Sequence, residues 1–355
     1  MFFACAAIPS FIANTARPVI ECSRFPGKRV FEIPCGFGGS GMEMNIPAYL
    51  VMMGISLVCA SVLFWFSARK HLQLSSQRAA ALSGCAALLS VVFGLFGAKL
   101  FYFIFRFSYF MAQGPMKYWL SLRTEELSYY GGVAGVCFAV FLAAKLLHLK
   151  PVRTLNAYAP AGALLAALAR FAEYFISAGL GPYLDDPLPF PLAVSIVWSE
   201  DYTEYILAVF FFEGLVSLVA FVLSIVHGGE PARFVRTLFY LCLPQIILES
   251  FRTDSIKLLL VRLEQLVCYL YVEGVLIWIA LKQDRRRFAS WMPAVVGLAV
   301  GALLIAGEFT LEGKIMPGGV FIPRWITYLV MTAGCAVLAV VEHIGIRRIY
   351  SPSVK

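Results

Sequence analysis

Ionisable side chains inside long apolar runs are costly, so each one needs a physical reason. The 355-residue sequence places Lys99, Arg170, Glu173, Glu213, Glu249 and Glu273 in such runs, with Arg252, Arg262 and Glu264 near their ends. Arg170 and Glu173 are three apart, as are Glu249 and Arg252, so each pair shares a helical face. One chemistry for this set is structural, a group of intrahelical ion pairs. The other is recognition of a phosphate, because the guanidinium fork stays charged and matches phosphate oxygens. The stretch Ser128-Tyr129-Tyr130-Gly131-Gly132 adds two tyrosines and a glycine pair. Glycines at a helix start either expose N–H groups to an anion or admit a neighbouring helix. The tyrosines are either interfacial anchors or bearers of a functional hydroxyl.

A membrane must position these residues. Hydrophobic residues make up 60% of the chain and charged residues 14%, against about 25% charged in soluble proteins. A soluble enzyme, a disordered chain and a disulfide scaffold are all excluded. Nine apolar spans are expected near 46–67, 82–105, 131–149, 157–179, 205–227, 234–251, 258–281, 288–307 and 325–346. The fold class is therefore an all-α polytopic membrane protein. The net charge of +8 lies in short loops rather than on one soluble face. Membrane lipid is the expected partner, and nucleic acid is not.

Residues 1–45 are rich in Pro and Gly and lack the layout of a cleaved signal peptide, so they read as an external segment. A Cys22–Cys35 disulfide there would need an oxidising compartment. The four histidines form no metal motif, and no nucleotide fingerprint or hydrolase elbow is present. No metal or organic cofactor is expected.

Basic residues gather in alternate loops: Arg69, Lys70 and Arg78; Lys145, Lys150 and Arg153; Arg233 and Arg236; and Lys282 and Arg285–Arg287. The segment 180–204 has none and carries Asp185, Asp186, Glu200 and Asp201, and it reads as a loop. This places the N-terminus outside and the C-terminus in the cytoplasm. Lys99, Arg170, Glu213 and Glu249 then share the outer half of the membrane, whereas Glu273 sits deeper. Four spans with charge at one depth suggest a shared polar cavity open to the outer leaflet, where a phospholipid headgroup supplies the phosphate. The external loop 106–128, with Arg106, Lys117, Tyr118, Trp119 and Arg123, suits a headgroup surface.

In order along the chain, the polar positions resemble those of the prolipoprotein diacylglyceryl transferase family. They are Ile46-Pro47-Ala48-Tyr49, Gly97-Ala98-Lys99, Tyr130-Gly131-Gly132, Ala159-Pro160, Ala169-Arg170-Phe171-Ala172-Glu173, Phe212-Glu213 and Gln245–Asp254. The resemblance covers residues 46–282 and implies a seven-span core, with 283–355 adding two spans and a cytoplasmic tail. It implies an enzyme of the bacterial cytoplasmic membrane. That enzyme moves a diacylglyceryl group from phosphatidylglycerol to the lipobox cysteine of preproteins. It also implies that Arg170 orients the phosphate, with Glu249, Tyr130 and Glu173 as catalytic candidates. Tyr49, Lys99, Gly131, Gly132, Glu213, Gln245 and Arg252 fall on substrate-binding positions.

The chain departs from the family pattern at four places. The family's His before the glycine pair is Tyr130, and its Asn after the arginine is Glu173. Gln245 and Lys99 stand where the family has Arg. A non-catalytic or altered-substrate lipid- or lipopeptide-binding homologue therefore remains an alternative, and a transporter is a third. Inverted repeats or broken helices would favour transport, and the sequence shows neither clearly.

Overall fold

The computed structural model describes residues 45–107, 110–111, 119, 127–199, 202–227, 231–258, 261–283, 288–314 and 322–350. The N-terminal segment, Cys22 with Cys35, and Lys117, Tyr118 and Arg123 lie outside these residues. Among the described residues, nine helices are long and apolar enough to cross a membrane. They are α1 (Ile46–Leu72), α2 (Ser76–Phe105), α3 (Tyr129–Leu146), α4 (Pro151–Ala172), α5 (Val209–Val226), α6 (Arg233–Leu248), α7 (Leu263–Lys282), α8 (Met292–Leu311) and α9 (Arg324–Tyr350). The chain is thus an all-α polytopic membrane protein.

Hydropathy locates each span, while local backbone chemistry sets its ends. α1 continues to Leu72, which puts Arg69, Lys70 and His71 in its last turn against the negative end of the helix dipole. α2 begins at Ser76 because the Ser75 hydroxyl accepts the Arg78 N–H at 3.4 Å. α4 begins with Pro151, whose missing N–H costs nothing in a first turn. It passes at Ala172 into a 3-10 turn, Glu173–Ile176, closed by Ser177 at φ 54°. α6 ends in the same way, in a 3-10 turn at Glu249–Phe251.

Residues 180–208 are not a loop followed by a helix start. They form a three-stranded antiparallel sheet of β1 (Leu180–Leu184), β2 (Ala193–Ser199) and β3 (Tyr202–Ala208), in the order β1-β3-β2. Val194 and Ile196 are buried with Ser195 exposed between them, the period-two pattern of a half-buried strand. Leu180, Ile206, Ala208 and Phe210 complete that small core. β4 (Lys257–Leu258) and β5 (Val261–Arg262) pair as a hairpin, so α7 starts at Leu263 and not at 258.

Helix packing relies on small residues, because lipid tails give apolar side chains no net reason to leave them. α2 and α3 meet along Gly94, Gly97, Gly131 and Gly135. A Cβ added at Gly131 would lie 2.5 Å from the Gly97 carbonyl oxygen. Ala60, Ala68, Ala86, Ala143, Ala157 and Ala161 build the core among α1 to α4. A second core runs through α6 to α9, from Phe239 and Ile246 through Leu276 and Leu304 to Met331 and Leu338. α8 and α9 therefore share one continuous core with the preceding helices. Large apolar side chains such as Leu50, Val58, Leu88 and Val92 face outward, as lipid contact requires.

Two cations read from the sequence as loop charges are interior. Arg233 and Arg236 lie within α6 and are 5% and 2% exposed. The Arg233 Nε donates to the Ser224 carbonyl at 2.6 Å, and the Arg236 Nε lies 3.2 Å from Glu342 on α9.

Candidate functional site

The antiparallel succession of spans brings the last turn of α4, the second turn of α5, the end of α6 and the first turns of α3 and α7 to one end of the bundle. That end holds most of the buried charge. Arg170, in the last turn of α4, is 1% exposed. Its Nη1 lies 2.6 Å from Glu173 Oε1 and 3.2 Å from Glu213 Oε2. Its Nη2 lies 4.0 Å from Glu264 Oε2. Its guanidinium carbon stacks 3.5 Å from the ring centre of Tyr129, which opens α3. The Tyr129 hydroxyl donates to the Ala166 carbonyl at 3.3 Å, which fixes the ring under the guanidinium.

Arg252 approaches from the other side. Its Nη1 lies 3.3 Å from Glu213 Oε2 and 3.7 Å from Glu173 Oε2. Its Nε and Nη2 grip both oxygens of Asp254 at 2.9 and 2.8 Å. Burial disfavours charge on Asp254. The Arg252 guanidinium, its hydrogen bonds and the Gly179 N–H at 3.0 Å outweigh that and hold the carboxyl below its ordinary range. Glu213 is the hub, contacting both arginines and receiving the Gln245 amide. Gln245 also donates to Glu249 Oε2 at 3.1 Å, and Ser255 donates to Glu249 Oε1 at 2.5 Å. Arg262 ties off the end of α6. Its Nη1 donates to the Glu249 carbonyl at 2.7 Å and its Nη2 to the Ser250 carbonyl at 3.0 Å.

Three buried polar atoms at this centre have no hydrogen-bond partner: Arg170 Nη2, Glu173 Oε2 and Glu264 Oε2. Arg170 Nη2 faces Glu264 Oε2 at 4.0 Å and Glu173 Oε2 faces Arg252 Nη1 at 3.7 Å, so each meets an opposite charge without a hydrogen bond and keeps capacity for a polar ligand. The donor suits an anionic oxygen, and the acceptors suit a proton.

The structure brings together Arg170, Glu173, Glu213, Gln245, Glu249 and Arg252, six of the residues proposed from sequence. Tyr49 stands at the edge, one turn into α1, whose start is fixed to the Glu173 turn by Asn45 N–H to Phe175 O at 2.9 Å. Tyr130 is not brought into the cluster. It packs into the α6–α9 core beside Cys242 and Cys268, and the preceding residue, Tyr129, meets the arginine instead. Adjacent residues on a helix point about 100° apart, so only one of the two faces the site. Gly131 packs tightly against the backbone of α2, and Gly132 lies alongside it at ordinary contact distance from Gly94 and Ala98. Lys99 is buried on α2, where its Nζ reaches the Trp119 carbonyl at 3.5 Å. Glu273 lies apart, against Gly297 of α8. The sequence reading did not place Tyr129, Glu264, Asp254, Ser255 or Arg262 in the site. A polar residue at the cap or first turn of a span, or within three residues of Arg252, was the available signal.

This constellation uses the same ordered motifs that carried the family resemblance. The family model for prolipoprotein diacylglyceryl transferase matches residues 41–281. The chain is 22% identical over 213 residues to the phosphatidylglycerol–prolipoprotein diacylglyceryl transferase of Streptococcus equi subsp. zooepidemicus, covering 58% of this chain and 80% of that protein. It is 25% identical over 211 residues to the protein of the same name from Streptococcus pneumoniae, covering 56% and 77%. Against the one from Clostridium novyi it is 23% identical over 193 residues, covering 52% and 73%. Identity is low, while the model match takes in every helix that lends a side chain to the buried cluster. On those grounds the chain belongs to the prolipoprotein diacylglyceryl transferase family.

Proposed function

We propose that the protein transfers a diacylglyceryl group from phosphatidylglycerol to the lipobox cysteine thiol of preproteins, at the outer leaflet of a bacterial cytoplasmic membrane. The N-terminus is external and the C-terminus cytoplasmic. The observation that carries this reading is the buried Arg170 Nη2, which makes no hydrogen bond within the protein and faces the equally unbonded Glu264 Oε2. In the reaction the thiol sulfur bonds to the terminal glycerol carbon of the diacylglyceryl group. The bond from that carbon to the phosphate oxygen breaks, and its electron pair leaves with glycerol phosphate. Arg170 Nη2 donates to a phosphate oxygen as charge builds on the leaving group. The thiol proton passes to Glu173 or Glu264, and Glu249 holds Gln245 and Ser255 in place. Arg252, clamped by Asp254, keeps Glu213 and Glu173 from repelling the donor lipid.

A second reading has its own support. Five carboxylates, Glu173, Glu213, Glu249, Asp254 and Glu264, lie around Arg170 and Arg252, while Arg262 is taken up by backbone carbonyls, so much of the cationic charge is already answered. A homologue that binds a different lipid, or binds without transfer, would tolerate that balance.

Purified protein, phosphatidylglycerol and a cysteine-containing lipobox peptide decide between them, read by mass spectrometry for the diacylglyceryl thioether. The expected result is product formation that falls about a hundredfold in Arg170→Lys, which keeps the charge but loses the fork. No product beside a competent family member, with lipid still bound to the protein, would favour the second reading.

A further inference from the structure

The 3-10 turn Glu249–Ser250–Phe251 carries one carboxylate of the site and delivers Arg252 into it. Turns of this kind have poor internal hydrogen bonding and depend on outside partners. Arg262 holds the turn by its carbonyls, and two side chains from the last two spans hold its other face. We propose that α8 and α9 clamp this turn, and that Glu308 and Tyr328 are positioning residues for the transfer reaction. This rests on the transferase reading above.

Two contacts from different helices converge on the turn. Glu308 on α8 is 5% exposed, and its Oε1 accepts from the Ser250 hydroxyl and, at 2.8 Å, from Gln265 Nε2. The same Gln265 nitrogen donates to the Ile246 carbonyl at 2.9 Å, one helical turn before the site carboxylate. Tyr328 on α9 stacks its ring on Phe251, with centroids 4.3 Å apart and planes at 16°. Both residues lie beyond the 41–281 segment matched by the family model. The segment shared with relatives thus grips the turn from the Arg262 side, and the two added helices grip it from the other. Glu308 acts through Ser250 and Gln265, and Tyr328 acts through Phe251. A misplacement of about 1 Å in groups that must meet a reacting phosphate costs roughly a hundredfold in rate.

The test compares Glu308→Ala, Glu308→Gln, Tyr328→Ala and Tyr328→Phe in the full-length protein. Three quantities are read: kcat and KM for thioether formation, the thermal midpoint, and amide hydrogen exchange across 246–255. Both alanine variants are expected to lower kcat at least tenfold, with KM within twofold and the midpoint within a few degrees. Exchange at 249–254 should rise at least tenfold. Glu308→Gln, which keeps an acceptor for Ser250, and Tyr328→Phe, which keeps the stacked ring, should recover most of kcat. Normal kcat with unchanged exchange in the alanine variants would overturn the clamp. So would an equal loss in Gln and Ala variants that tracks a fall in the thermal midpoint. If the unaltered protein forms no thioether, the transferase reading fails on its own, and the exchange comparison alone decides whether the clamp exists.

Discussion

Arg170 shows why a single side chain in this site has two jobs. It is the proposed phosphate donor and also the counter-charge to Glu173 and Glu213. Arg170→Ala would leave Glu173 and Glu213 sharing Arg252, at a cost of up to about 3–5 kcal/mol, and so confuses folding with function. The lysine variant separates the two. Gly179 is a second residue-scale constraint. At φ +68°, a Cβ there would sit 2.5 Å from Glu173 Oε2, so Gly179→Ala should lower the thermal midpoint and displace the carboxylate. Its activity loss is expected to exceed that of an exposed Gly→Ala change assayed beside it. Asp254 gives a pH signature. Its folded-state carboxyl is held below the ordinary value by Arg252, so its contribution is present above the unfolded pKa and vanishes as pH falls through the folded one. Asp254→Asn should therefore cost stability at neutral pH, and the gap to the unaltered protein should close below about pH 4 in pH-dependent unfolding.

Elements place these residues through their ends more than through their lengths. α4 and α6 both finish in 3-10 turns, which rotate Glu173 and Glu249 toward the same centre. The contact of α2 with α3 fixes where α3 begins, and hence where Tyr129 lies under Arg170. Gly97→Leu should force that pair of helices apart. Loss of the folded species in detergent, followed by thermal unfolding, would register it. Gly54→Ala and Gly84→Ala provide the contrast, because a Cβ at either position meets nothing within 4 Å. They should be neutral or stabilising by about 0.5–1 kcal/mol. Span locations were legible in the sequence because about twenty apolar residues in a row have few other uses. Their ends were not, because caps, prolines and strand pairing act over three or four residues that a hydropathy window averages away. The sheet at 180–208 was missed for that reason. The alternation in Val194-Ser195-Ile196 is short, and the apolar start of α5 follows β3 without a break.

At the scale of the molecule, one bundle carries polar ties at both ends. Opposite the site, Arg236 on α6 pairs with Glu342 on α9, and Tyr240 donates to the same carboxylate at 3.2 Å. Glu342→Ala would remove the carboxylate that answers a buried guanidinium, leaving Arg236 its Tyr240 and His343 contacts, at a cost of up to about 3–5 kcal/mol, and chemical unfolding should report it. Transfer activity per folded molecule should survive, since that end is remote from Arg170. By itself the sequence determined that the chain lives in a membrane and how many times it crosses. It also named most of the charges that converge at one end of the bundle and the family that shares their order. Membrane location and span number follow from composition and periodicity, which are local along the chain, whereas the family came from the resemblance of the ordered motifs and the family-model match over 41–281. Tertiary structure alone decided which partner each charge takes. It put Tyr129 rather than Tyr130 on the arginine, made Glu213 the hub, drew Glu264 and Asp254 into the cluster, and folded Arg233 and Arg236 inward. The physical reason is that ion pairing depends on rotation about each helix axis and on separations of a few ångströms between spans. Close packing of glycine and alanine faces sets both.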